Sequence, residues 1–465
     1  MTSSAAIGLS IRKEARALLP MWAACASALI VVGIVGDPRF AEAGRLVYFL
    51  GSAALASWSI GHEYSHRTLP ILLSLPSTRP RLLLMKLGVL IPLLATLGAL
   101  ALTILPPFRG FGRQESQALI PALAVVCALI LAPLVTMLCR SPLAGVVFAL
   151  VITGWVHLLA QIAGLVVYGS AELLIQRDQL TMTLRLWGFL SVSALAAVAG
   201  WLAFMQLEAI DGLPDVHWPH GWRRAAAARP VARRRNPFWL LALKELRLQQ
   251  MTFIVAGLFI LGAIAVTMLR TVIPEFNGSP EPIVALYGLL LAWLIGSLAS
   301  AEERHLGTLE WHTLLPVAAW QQWSVKAGIT LGLAILLGIG LPMLVIVLVS
   351  SDILNPMHPV YLGVIVVLAT ASLYVSTLCS SGLRALTVSG PAILVVFLPL
   401  GRMIEPFDAD LRSPYGVLVL AGLLLLALRF AFENHRSAER SLPRVGRQLL
   451  LMAAVPLLAL IIRRL

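Results

Sequence analysis

An all-α fold is predicted from the sequence: a polytopic transmembrane helical bundle of about 12 spans arranged as two parallel six-span repeats. Three observations carry this. First, 59% of the 465 residues are apolar and 12% are charged, against about 25% charged in a typical soluble domain. Second, apolar runs near the roughly 20 residues needed to cross a bilayer recur along the whole chain, without the short alternating pattern of an outer-membrane barrel. Third, charged and turn-forming residues repeat at a constant spacing between the two halves.

Taken in order, the first set of spans falls near 21–36, 45–61, 84–105, 118–139, 142–168 and 185–207. The second falls near 251–273, 283–300, 327–349, 360–379, 386–404 and 413–432. Arg12, Lys13 and Arg16 precede the first apolar stretch, but no small-residue cleavage site follows it, so it reads as a retained span and not a signal peptide. The last stretch, 449–462, contains Pro456 and is short for a span, which suggests an interfacial or re-entrant segment, with a thirteenth span as the alternative. The domain boundaries are thus 1–210 for the first repeat, 211–236 for a basic linker, 237–447 for the second repeat and 448–465 for a short apolar C-terminal segment.

Charge sets the orientation. With the N-terminus in the cytoplasm, the inner segments carry 23 Lys and Arg and the outer loops carry nine, while acidic residues divide evenly. This is the asymmetry of the positive-inside rule, and it predicts a multi-pass protein of the cell inner (plasma) membrane. The net charge of +13 is concentrated in the linker, at Arg223, Arg224, Arg229, Arg233, Arg234 and Arg235. A segment lying against anionic lipid accounts for it, and no nucleic-acid partner is expected. Cys25, Cys127, Cys139 and Cys379 have no paired spacing and read as small apolar residues, not as a disulfide framework or zinc site.

The repeat is visible residue by residue. Glu63, Thr68, Leu69, Leu75, Pro76 and Lys86 recur as Glu303, Thr308, Leu309, Leu315, Pro316 and Lys326 at an offset of 240, and Lys13-Glu14-x-Arg16 recurs as Lys244-Glu245-x-Arg247. An even number of spans per half gives both repeats the same orientation, an arrangement found among transporters. In each inner loop, Thr68-Leu69 or Thr308-Leu309 is placed to start a short surface helix that Pro76 or Pro316 stops. Two such helices on one side suit a partner with two equivalent subunits. No Asp or Glu falls in mid-span, unlike the usual ion-coupled carrier. His157 and Gln161, one turn apart, are the main polar pair there and are candidate pathway residues, or a helix-to-helix hydrogen bond. The chain has no phosphate-binding loop of its own, so ATP and its Mg would be bound by a separate ATPase, and no cofactor by this chain.

The pattern E-x-x-x-x-T-L-(x)-x-L-L-x-x-P with a following Lys, and the Lys-Glu-x-x-Arg segment before each half, resemble the permeases of type-2 ATP-binding-cassette (ABC) exporters. The resemblance implies a membrane permease and not an enzyme, with an elbow helix before the first span of each half and a coupling helix after the second. It implies docking of ABC ATPase subunits, in two copies, near Glu63, Arg67, Thr68, Leu69, Pro76 and Arg79, and near Glu303, His305, Thr308, Leu309 and Pro316. The family usually has six spans per chain and pairs two chains; here two halves are fused. The halves differ at Arg67, which faces Gly307 in the comparison, and at Pro70, which is expected to interrupt the first surface helix early.

A competing reading starts from His62-Glu63-Tyr64-Ser65-His66, which matches H-E-x-x-H. On a helix this spacing sets two imidazoles one turn apart to hold zinc, as in an intramembrane zinc metalloprotease, with the glutamate as general base. A third ligand has no clear candidate beyond Asp211, and the second half keeps the glutamate but has Glu302 at the place of the first histidine. A membrane scaffold without transport is a third class.

Overall fold

The computed structural model describes residues 3–37, 40–66, 68–74, 78–105, 119–168, 174–207, 237–272, 281–307, 317–349, 359–404, 414–437 and 441–464. Every secondary-structure element among them is helical. The first group of helices is α1 (Ser3–Val35), α2 (Ala41–Ser65), the short α3 (Leu69–Leu73), α4 (Arg79–Ile104), α5 (Leu119–Cys139), α6 (Pro142–Val167) and α7 (Leu174–Met205). The second is α8 (Pro237–Leu248), α9 (Gln250–Val272), α10 (Glu281–His305), α11 (Ala319–Ile335), α12 (Leu341–Val349), α13 (Pro359–Leu378), α14 (Gly382–Ile404), α15 (Pro414–Arg436) and α16 (Leu442–Arg464). Among the described residues, nine helical segments are long and apolar enough to cross a membrane. The chain is therefore a multi-pass helical membrane protein.

Two helices, α2 and α10, are enclosed by the others. The stretch 50–63 of α2 is buried throughout, and so is 291–301 of α10. Small residues make this possible. Along α2 they are Ala53, Ala54, Ala56, Ser57, Ser59 and Gly61, and along α10 Gly296, Ser297, Ala299, Ser300 and Ala301. Small side chains let backbones approach closely where lipid supplies no hydrophobic drive between helices. At Gly296 a Cβ would stand 2.4 Å from the carbonyl oxygen of Ala369 on α13, so only glycine fits. α2 packs on α1, α4, α5 and α6, and α10 packs on α8, α9, α11, α13 and α14. The seam between the groups is α14 lying against α1 and α2. There the Arg384 guanidinium sits 4.9 Å from the centre of the Trp58 ring, a cation–π contact.

Three details differ from the sequence-based expectations. The pre-span segment and first span of the first group form one continuous helix of 33 residues that passes through Pro20, with no separate elbow. In the second group α8 and α9 do separate, at Gln249, whose side-chain amide donates to Ile295 O at 3.0 Å and accepts from the Thr252 hydroxyl at 2.7 Å. Pro70 does not interrupt α3: it lies in its first turn, where its missing N–H costs nothing, and so helps to start it. The C-terminal segment is also longer than 448–465: α16 is a helix of 23 residues. Pro443 lies in its first turn, and Gln448 ties it to α15 through a reciprocal pair of 3.1 Å amide bonds with Asn434. Between α11 and α12 the helix loosens into one π turn, Leu336–Gly340, and Gly338 O accepts a 3.3 Å bond from the Tyr361 hydroxyl.

Candidate functional site

The repeated charged residues converge. In the first group, the ammonium of Lys86 on α4 lies 2.7 Å from Glu14 Oε1 on α1 and 3.2 Å from Glu63 Oε1 at the end of α2, and it donates to Ser59 O at 3.1 Å. Lys13 adds a second ammonium 2.9 Å from Glu63 Oε1. In the second group, Lys326 on α11 lies 2.9 Å from Glu245 Oε2 on α8 and 2.9 Å from Glu303 Oε2 on α10, and it donates to Ala299 O at 2.7 Å. Lys244 completes that cluster by pairing with Glu303 and, at 3.1 Å, with Glu245. Ser59 and Ala299, the two carbonyl acceptors, are themselves 240 residues apart.

Each cluster holds two carboxylates and two ammonium groups, so it is neutral in sum. Glu14, Glu63, Lys86, Glu245, Glu303 and Lys326 are all buried. Buried charges persist only when opposite charges and further hydrogen bonds replace the lost water. Burial pushes the Glu245 carboxyl upward, against the pull of Lys326 and with Glu303 adding to the rise. The clusters join three parts of the fold: the segment before the first span, the end of the enclosed helix, and the start of the helix after the loop.

The loop that leaves the first cluster is anchored to it. The Thr68 hydroxyl donates to Glu63 Oε2, and Thr68 N–H donates to Glu63 O at 2.9 Å. α3 then buries Leu69 and Leu72 against Ile60, Leu82, Met137 and Phe204, and turns Ile71 outward, 65% exposed. Arg79 is exposed and donates to Met205 O, one of the free carbonyls at the end of α7. In the second group α10 ends at Gly307, whose φ of 70° is the left-handed cap that glycine adopts without strain. His305 is half-buried, with Nδ1 3.7 Å from Glu302, and Leu306 is 51% exposed. Beyond the end of α2, partial desolvation of the His66 ring, with the nearby charges of Arg384, His62 and His305, lowers its pKa. Arg67, Pro76, Thr308, Leu309, Pro316, Asp211 and the linker 211–236 lie outside the described residues.

Glu63 and Glu303 thus face inward, their carboxylates taken up by lysines, and Leu69 is buried as well; of the other described positions singled out from the sequence in these two loops, Arg79 is exposed and Thr68 and His305 are half-buried. Glu14 and Glu245 complete the two ion clusters and were not among the candidate site residues. Their signal was there: the Lys-Glu pair repeats before each half, and it balances the repeated Glu and Lys downstream.

His62 belongs to the first cluster and His66 does not. The Nδ1 of His62 lies 2.9 Å from Trp58 O, and its Nε2 lies 3.2 Å from Glu63 Oε1 and 3.6 Å from Glu14 Oε2. His66 follows the last residue of α2 and is exposed. Ligand atoms of Glu14, His62 and Glu63 fall within 4.8 Å of one another. The ammonium of Lys86 already stands against both carboxylates, so a dication would have to displace a lysine from a balanced site. His157 on α6 is exposed and Gln161 is half-buried.

No family model, no curated protein and no solved structure matches the chain.

Proposed function

We propose that the chain is the membrane-spanning permease subunit of an ABC transporter of the type-2 exporter kind, with two six-span repeats fused in one polypeptide. Hydrolysis of ATP, with Mg, on two copies of a separate ATPase subunit would drive substrate across the membrane. The N-terminus and the ends of α2 and α10 would face the cytoplasm of a cell bounded by this inner membrane. The observation that carries the reading is the doubled ion cluster beside each of the two loops that bear the family-like pattern. A push on either loop would be passed through Glu63 or Glu303 to the pre-span segment and to the following span, because both lysines are shared. ATP-driven closure of the partner would then rock the two groups about the α14 seam, the differential contact that such a cycle requires.

The zinc-protease reading has less support, since the histidines of H-E-x-x-H part company and Lys86 already neutralises Glu14 and Glu63. Metal content of the purified protein, compared with His62→Ala, tests it directly.

The test of the permease reading is photo-crosslinking in cells. A benzophenone amino acid at Ile71 or at Leu306 captures an ATP-hydrolysing subunit, identified by mass spectrometry of the adduct, and a probe at Gly36, at the other end of α1, does not. Capture from Gly36 with none from Ile71 and Leu306 would sink the proposal.

A further inference from the structure

Arg185 stands in an apolar helix with nothing of opposite charge against it. It lies in the segment Gln176–Met205 of α7, which is long and apolar enough to cross a membrane. Among the described residues it makes no hydrogen bond and no ion pair, and its Nε is buried without an acceptor. The nearest acidic residue that acts on it is Asp178, seven positions earlier on the same helix and exposed. A guanidinium cannot shed its proton. At the end of a membrane span such an arginine reaches to the interface, where the anionic groups available to it are those of lipid headgroups and solutes.

The neighbouring helix brings complementary groups to the same level. α6 and α7 press together on either side of Arg185: a Cβ on Gly188 would stand 2.8 Å from Val156, and one on Gly164 would stand 2.9 Å from Thr181. His157 is exposed on α6 between those two contacts, as Arg185 lies between them on α7. Gln161 lies one turn further on. At 1.5 Å per residue, Arg185 is about 30 Å from the Met205 end of α7, one hydrocarbon thickness away. Trp187, 65% exposed and two residues on, has the amphipathic ring found at that depth.

We infer that Arg185, His157 and Gln161 form an anion site on the α6–α7 face that takes a phosphate group at the membrane boundary opposite the ion clusters. The guanidinium fork supplies paired donors to a phosphate, while the imidazole and the amide add a third and a fourth. Two sources carry this chemistry: the headgroup of a lipid whose chains run along α7, and a small soluble phosphate.

Native mass spectrometry of the full chain in detergent, titrated with phosphatidic acid, tests the inference. The wild type binds its first phosphatidic acid about tenfold more tightly than Arg185→Gln, the size of a lost charge-assisted contact. Arg185→Lys falls between them, since a point charge replaces a fork. Competition separates the sources: release of the lipid by millimolar glycerol phosphate assigns the site to soluble phosphates, and its retention assigns it to the lipid headgroup. If Arg185→Gln does not fold, Arg185→Lys and His157→Phe carry the titration. Equal affinity in the wild type and in the folded variants would overturn the site.

Discussion

Replacing Lys326 by Met is the sharpest perturbation of the doubled cluster. Lys326 is 1% exposed, and its ammonium serves two carboxylates and one backbone carbonyl. Methionine keeps the length and the apolar stem but removes the charge, which leaves Glu245 and Glu303 to share Lys244, a residue 25% exposed. One negative charge is then buried without a partner. Breaking a buried pair from one side costs about 3–5 kcal/mol, a fall of about two to four orders of magnitude in the folded-to-unfolded ratio. The second substitution is Glu245→Gln, which restores neutrality and leaves the Lys244–Glu303 pair in place. The double variant should regain more than half of the loss, because the penalty comes from the uncompensated charge and not from the missing bonds. Reversible unfolding in mixed micelles, read by tryptophan fluorescence as a double-mutant cycle, gives the coupling energy. A single-variant loss below about 1 kcal/mol, or a double variant less stable than Lys326→Met alone, would refute the buried-cluster reasoning.

Two further outcomes follow from packing and from pH. Gly296→Val drives a Cβ to within 2.4 Å of Ala369 O between α10 and α13. Backbone cannot yield as a side chain can, so a destabilisation at or above about 3 kcal/mol is expected in the same unfolding assay, the upper end for overpacking. His66 is an exposed residue whose ring is partly desolvated, and this together with Arg384, His62 and His305 lowers its pKa, so below its ordinary value near 6.5 the unfolded chain takes up a proton before the folded one does. Stability therefore falls as pH drops from about 6.5 toward the lower folded value, and His66→Gln should flatten that slope when melting is followed from pH 7.5 to 5.

Much of the architecture was legible without coordinates. Apolar content and long uncharged runs determined an all-helical membrane protein, because only helices satisfy the backbone inside lipid over such lengths. The 240-residue offset picked out Glu63, Lys86, Glu303 and Lys326, and the Lys-Glu pairs at 13–14 and 244–245 were equally visible in the linear text. What the text could not give was that these residues meet. Glu14 and Lys86 are 72 positions apart, and Glu245 and Lys326 are 81 apart. No local period encodes a contact at that range. Nor does composition separate a helix enclosed by protein from one facing lipid, since both environments accept apolar side chains; only packing sets α2 and α10 inside and turns Glu63 and Glu303 from a presumed surface to a buried pair of joints. The same reason explains Pro70, α16 and Arg185. Whether a proline starts or stops a helix, whether a helix outlasts its apolar stretch, and whether a cation finds a counter-charge all depend on neighbours that the chain brings together from far along its length.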